Sequence, residues 1–407
     1  MIPEWAPMRW PSAWQDPSSL DLLKGSGINF LLIENHAELD AVRAAARQQG
    51  FGVAAPGSPP AGVTVVQGVW PGAMGGPQDR VAAGPTGVPW VDSNGWAVLL
   101  AAARRPESAV WVEASPKEGQ PAGPAGYLVA VADSAAYGGR WIISLGGALL
   151  QSLAAGKSEA LETWGKLSAA TAFFNAHKEW AGYSQRALIG VISDFAGENE
   201  FLNQEILNLA ARAGEPCRVM LKDRVAAASF RGLRGVIYAD TGAPAPALRE
   251  QILDFVKGGG LLITAPQWGK VENARPVAPE HPRYACYASG KGRIAQAREH
   301  LNDAYEAAND AVVMVSHRYD LVRLWNGGSS GFYFAESEDR RRAVVHLIFY
   351  ADHGPAFSTV RVAGKYRSAA ILAPGDPGRR VEMLAQKDAV EVHLPQVPVY
   401  VALQLEA

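Results

Sequence analysis

The chain has little of what would mark a metal centre, a disulfide scaffold or a membrane span. Two cysteines in 407 residues, Cys217 and Cys286, have neither metal-site spacing nor the density of a disulfide framework. The 8 histidines do not cluster: His317, His346, His353 and His393 are scattered through the C-terminal part, and His36 stands alone after Glu34. No metal is expected. The stretch PGAMGGPQD lacks the strand, glycine turn and helix of a dinucleotide site, so neither NAD nor ATP, and no other cofactor, is indicated. A formal net charge of −2 gives no electrostatic reason to expect nucleic acid or an acidic membrane surface. No apolar run approaches the roughly 18 residues of a spanning helix. MIPEWAPMRW also lacks the basic and apolar regions of a secretory leader. A soluble protein is expected, cytoplasmic or exported after loss of a leader.

What is present is a globular composition, 48% hydrophobic and 19% charged, in a chain long enough for two or three cores. From residue 11 to about 180, apolar runs recur with turn residues behind them: INFLLIEN, GFGVAAPG, VTVVQGVWPG, VPWVDSNGW, AVWVEASP, YLVAVADSAAYGG and RWIISLGG. With the stretch around MRWPSAW they predict eight buried strands, and helical spacing falls over 38–49, 96–104 and 161–179. Eight parallel strands suggest a (β/α)8-like barrel. Such a barrel typically needs about 250 residues, so a reduced form is expected over 1–183, with PGAMGGPQDRVAAGPTG as a loop in place of a helix.

Over 184–318 the order changes to strand ALIGVIS, helix FLNQEILNLAARAG, strands CRVMLK and GVIYAD, helix APALREQILDFVKGG and strand GLLITAP. That alternation predicts a doubly wound, Rossmann-like or flavodoxin-like sheet. Within it, GVISDFAGENEF carries a strand into an acidic, glycine-containing corner and then a helix. Asp194, Glu198 and Asn199 therefore sit outside a strand's carboxyl end, where they could cap the helix or face a ligand. Residues 319–407 are dominated by strand-like segments between turn signals, which favours a small antiparallel β-sandwich. The whole is an α/β multidomain chain.

This order of barrel-like domain, amidotransferase-like unit and sandwich resembles the β-galactosidases of glycoside hydrolase family 42. The segments RALIGVISDFAGENEF and FRGLRGVIYADTGAPAPALREQILDFVKGGGLLITAPQWG carry the likeness most specifically. In that family the middle domain is similar to a class I glutamine amidotransferase without its nucleophile, and it serves in trimerisation. The resemblance implies an oligosaccharide or polysaccharide as partner and a homo-oligomer, dimer or trimer, touching through the 194–205 corner or the 241–250 segment. The family's acid/base is a Glu after strand four, preceded by Asn, and its nucleophile a Glu after strand seven. Here the fourth run offers Gln67 and the seventh Asp133. GVIYAD is followed by TGAPAP, with no cysteine where an amidotransferase would need one.

Glycoside hydrolysis needs two carboxyl groups flanking the scissile bond, and four acids follow apolar runs: Glu34, Asp92, Glu113 and Asp133. Glu113 and Asp133, ending neighbouring predicted strands, are the expected catalytic pair. Glu34 and Asp92 would hold sugar hydroxyls, and Trp10, Trp14 and Trp96 would stack on rings. Trp70, Trp90, Trp111 and Trp141 also fall in this first segment, and filling its core is the plainer use of such rings. The expected function is a carbohydrate-active protein, a glycoside hydrolase by the two-carboxylate mechanism. Its alternative is a non-catalytic glycan-binding or assembly protein with a degenerate barrel.

Overall fold

The computed structural model describes residues 4–73, 91–116, 122–271, 275–277 and 281–407. The chain folds into two compact units, residues 1–184 with 324–407, and residues 185–323. In the first unit Pro7–Arg9, Phe30–Leu32 and Gly52–Ala54 pair in parallel, as do Val63–Gln67, Ala109–Glu113 and Arg140–Trp141. A parallel bridge from Met8 to Ile143 joins the two sets. Alternation along the strands gives this wall two apolar faces. Phe30, Leu32, Val63, Trp111 and Ile142 cluster on one side. Met8, Trp10, Leu31, Ile33, Val112, Trp141 and Ile143 pack on the other against helices that include Pro124–Ala135 and Ser158–Ala176.

Two expected strands are corrected. YLVAVADSAAYGG lies on the helix Pro124–Ala135, opened by Pro124 in its first turn. It is buried nearly all round, so no polar stripe reveals its period. VPWVDSNGW yields only Val91–Asp92, antiparallel to Gly72–Ala73. The wall thus has six parallel strands among the described residues, not eight, and Gly52–Ala54 and Val63–Gln67 lie in separate sheets. Residues 74–90, holding most of the expected glycine-rich loop and Trp90, lie outside the described residues.

In the C-terminal part, Ser330–Glu336, Arg342–Phe349, Tyr400–Glu406, Ser368–Leu372 and Arg379–Val381 form one antiparallel sheet. Phe357–Ala363, Ala389–Pro395 and Met383–Ala385 belong to a second. Val344, Ile348, Tyr350, Tyr400 and Ala402 share one core with the helices. A polar tie runs through that core. The carboxylate of Asp133, with no exposed surface, accepts the Tyr350 hydroxyl at 2.7 Å and the Asn94 backbone and amide N–H groups, both at 2.8 Å. Burial pushes its pKa up to about 6 despite these donors. Asn94 also clamps Val69, accepting its N–H at 2.8 Å and donating to its carbonyl at 2.9 Å. Gly68 is required beside this clamp, because a Cβ there would lie 2.5 Å from both Asn94 Oδ1 and a Val112 methyl.

The second unit has a seven-stranded sheet. Arg218–Leu221, Ile189–Ser193, Gly235–Tyr238, Leu261–Thr264 and Gly292–Ala297 run parallel in that order, with Tyr284–Ser289 and Arg275–Pro276 antiparallel at the edge. This is the flavodoxin-like order, with its switch between Ile189–Ser193 and Gly235–Tyr238. The run AVVMVS is the end of helix Ala304–Val315.

Two stability predictions follow from the buried polar groups. Asp133→Ala leaves three donors without an acceptor and should lower unfolding free energy by about 3 kcal/mol or more, read by urea denaturation; an unchanged midpoint would contradict the role. His346, buried and paired through Nδ1 with the Tyr400 hydroxyl at 2.7 Å, has its pKa pushed down to about 3 by burial. The folded state keeps it neutral, so below the ordinary value near 6.5 the unfolded chain gains a proton that the fold refuses. Stability supplied above that pH is therefore lost as pH falls from about 6.5 towards 3. The drop in urea midpoint between pH 7 and pH 5 should be smaller in His346→Gln than in the wild type, and an identical drop would show that His346 does not carry it.

Candidate functional site

Strand alternation places Arg9, Gln67 and Glu113 on the same side of the wall as Leu32 and Trp111, at the carboxyl ends of their strands. Gln67 and Glu113 are direct partners in the parallel ladder, and the Gly68 N–H donates to the Glu113 carbonyl at 2.9 Å. The Glu113 carboxylate is held from two sides. Its Oε1 pairs with the Arg9 guanidinium, and its Oε2 accepts the Gln67 amide at 2.7 Å. Glu113 keeps 26% of its side chain exposed and Arg9 37%, so the group is oriented yet open to solvent. The Arg9 Nε–H is enclosed without a protein partner. A carboxylate fixed this way still has lone pairs free for a hydroxyl or for an electron-poor carbon.

The other expected residues divide. Glu34 follows Phe30–Leu32 in the inward phase, since Leu32 belongs to the inner cluster and Ile33 to the outer. The Glu34 carbonyl accepts from Arg43 at 2.5 Å, which secures the backbone rather than the carboxylate. Asp92 sits half-buried in the short ribbon Val91–Asp92. Trp14 and Trp96 are half-buried, Trp96 in the first turn of helix Gly95–Arg104. Two expectations are corrected. Asp133 does not end a strand beside Glu113; it lies in the helix layer with three donors on its oxygens, where a glycan does not reach. Trp10 is 2% exposed on the outer face, its indole N–H donating to the Trp14 carbonyl at 2.8 Å and its ring edge-on to Trp14, so it fills core. Trp70 likewise packs edge-on against Tyr127 and Trp141.

Arg9 is the residue that the sequence reading missed. Its signal was the alternation in PMRW, with Met8 and Trp10 facing the helices and Arg9 between them facing inward. Among the described residues no group of three or more His, Cys, Asp or Glu side chains could hold a metal ion, and no helix is long and apolar enough to cross a membrane.

In the second unit the GVISDFAGENEF corner closes on itself at the switch point. Asp194 pairs with Lys222, which also reaches the buried Asp240 at 3.1 Å. Asn199 donates to Asp194 at 3.1 Å, and its carbonyl-type oxygen accepts the Thr241 N–H at 2.8 Å. Asp194 therefore ties the corner to neighbouring strand ends, while helix Glu200–Arg212 has no side-chain cap. Phe195 is fully buried at φ 51 and Gly197 turns at φ 56, which explains the abrupt change of direction.

No protein-family profile and no curated protein sequence matches the chain. Solved structures do. An α-L-fucosidase, isoenzyme 2, from Paenibacillus thiaminolyticus superposes with TM-score 0.55 at 11% identity over 77% of this chain and 62% of that one. A family 42 β-galactosidase from G. stearothermophilus gives 0.48 at 10% over 78% and 57%, and a rhamnosidase from Novosphingobium sp. PP1Y gives 0.49 at 11% over 93% and 37%. The chain spans less than two thirds of each of these proteins. At this identity the likeness concerns fold alone: the chain is an α/β protein with a glycoside hydrolase-like fold.

Proposed function

We propose that the protein acts on a glycan at the mouth of its six-stranded wall, with Glu113 as the acting carboxylate and Arg9 and Gln67 as the residues that position it. The observation that carries this reading is the Glu113 side chain, oriented through both oxygens at a strand's carboxyl end yet left partly exposed. That end of the strands is where barrel enzymes keep their sites. The fold supports the substrate class, since an α-L-fucosidase superposes with TM-score 0.55. Glu34, in the same inward phase, is the acid we assign as second carboxyl group in a two-carboxylate hydrolysis. Asp92, Trp14 and Trp96 are kept as sugar contacts.

A second reading has its own observation. Gln67 stands where the resembling hydrolases would offer a Glu, and its amide is spent on Glu113. In that case the mouth binds a glycan without cleaving it. For the middle segment, 184–318 between a barrel of 1–183 and a sandwich of 319–407, we keep the role of assembly into a dimer or trimer. Strand Gly235–Tyr238 is followed by Ala239, Asp240 and Thr241, with no nucleophilic cysteine.

Screening aryl glycosides and plant or bacterial polysaccharides for binding and for release of sugar separates the two readings. With a hydrolysed substrate in hand, Glu113→Gln should lower kcat by about 10²-fold or more. Arg9→Met, which loses a charge-assisted hydrogen bond rather than the acting group, should cost on the order of tenfold. Wild-type turnover in Glu113→Gln would remove Glu113 from the chemistry; binding that needs Glu113 without any sugar release would establish the second reading.

A further inference from the structure

The formal net charge of −2 conceals a local excess of cations on the second unit. Its parallel strands Gly235–Tyr238, Leu261–Thr264 and Gly292–Ala297 all begin at one edge of the sheet. Helix Ala304–Val315 ends at the same edge, since a Cβ on Gly235 would lie 3.0 Å from a Val315 methyl. Arg231 and Arg234 precede the first of these strands, Lys291 and Arg293 flank the first residue of the last, and Arg318 follows the helix; all of them are exposed. Among the described residues none of them pairs with a carboxylate. The contacts they do make are with a carbonyl and a ring. Arg293 donates to the Met314 carbonyl at 3.3 Å, and the guanidinium carbons of Arg234 and Arg318 stand 4.1 and 4.7 Å from the centre of the Tyr319 ring.

The nearby acids do not offset this charge. Asp320 is spent on Arg323 at 3.0 Å and on His317 Nδ1 at 3.3 Å. Glu215, buried beside Asp320, has its pKa pushed up to about 8 by burial and by that neighbour's charge, so it carries a proton at neutral pH. Two guanidiniums held on one ring repel each other, and an oxyanion beside them relieves the repulsion while accepting paired N–H groups. Scale and the ring narrow down what carries the oxyanions. Arg234 and Arg293 belong to strands two ladder steps apart, roughly 10 Å, so the row meets a few repeats of a chain rather than a long duplex. Tyr319 is already engaged by both guanidiniums, so it does not serve as a platform for a nucleobase.

We propose that this basic edge of the second unit holds an acidic polysaccharide through its carboxylate or sulfate groups, with Arg234, Arg293 and Arg318 as the principal contacts; the choice of a glycan as carrier rests on the reading of the protein as one that acts on glycans. Calorimetry with polygalacturonate, dextran sulfate, neutral dextran and a DNA duplex tests it. Wild type is expected to bind polygalacturonate or dextran sulfate, the two telling a carboxylate from a sulfate preference, and to give no heat with neutral dextran. That affinity should fall roughly tenfold as NaCl is raised from about 50 to about 200 mM. Arg234→Gln combined with Arg318→Gln should weaken acidic-polysaccharide binding by about tenfold or more, at a denaturation midpoint matched to wild type. Lys291→Gln combined with Arg293→Gln, which leaves the Tyr319 ring alone, should weaken it as well and serves where the first pair disturbs folding. Glu113→Gln should bind acidic polysaccharide as wild type does, so failure of the Glu113 reading leaves this result in place. No binding of either acidic polysaccharide, or binding unchanged in both double variants, would overturn the proposal without touching Glu113. Tighter binding of the duplex, lost in the same variants, would assign the edge to nucleic acid and overturn it as well.

Discussion

The first unit depends on one buried carboxylate. Asp133 has no access to water, so its ionised form is tolerable only with donors on its oxygens, and three are supplied by Asn94 and Tyr350. Those donors come from distant parts of the chain: Asn94 from the start of one crossover helix, and Tyr350 from the end of strand Arg342–Phe349. The helix layer and the C-terminal sheet are thus held in one register by polar groups that cannot be separated cheaply. Asn94 passes the constraint on, because its amide grips both backbone groups of Val69 just beyond the strand that ends in Gln67. Gln67 in turn holds Glu113. The enclosed carboxylate thus helps to position the partly exposed one.

How much of this could be read beforehand depends on what each residue's neighbours supply. Strands Pro7–Arg9, Phe30–Leu32, Gly52–Ala54, Val63–Gln67, Ala109–Glu113 and Arg140–Trp141 were legible because each is a short apolar run closed by a turn or a polar residue. The doubly wound order of residues 185–323 was legible for the same reason, helped by amphipathic helices between its strands. YLVAVADSAAYGG was misread because a helix buried on all sides has no polar stripe, and a short apolar run without a period suits strand and helix equally. Its alanines and Pro124 at the helix start were the available hints. Asp133 then inherited the error, since an acid at the end of a supposed strand looked like a mouth residue.

The candidate site was partly legible in the same sense. Glu113 is singled out by its place after an apolar run, whereas the Arg9 pairing needs the Met8 to Ile143 bridge, which brings the first strand beside Arg140–Trp141 and so close to Ala109–Glu113. No local pattern announces a contact between residues 9 and 113. The aromatic residues show the opposite bias. Trp10, Trp70, Trp111 and Trp141 look like sugar platforms by count, but Trp10 packs on Trp14, and the other three pack against one another or against tyrosine and phenylalanine rings. The GVISDFAGENEF corner likewise spends its polar groups on its own neighbours, Lys222, Asp240 and Thr241, which accounts for an acidic glycine turn without a ligand.

The central claim is that Glu113, held by Arg9 and Gln67, is the carboxylate that meets a glycan. A crystal structure with a bound sugar, soaked or co-crystallised after a screen identifies one, tests it most directly. The account predicts a sugar hydroxyl or anomeric carbon within about 3 Å of a Glu113 oxygen, with the Arg9 and Gln67 contacts preserved. Sugar density elsewhere on the chain, with Glu113 still facing solvent, would contradict it.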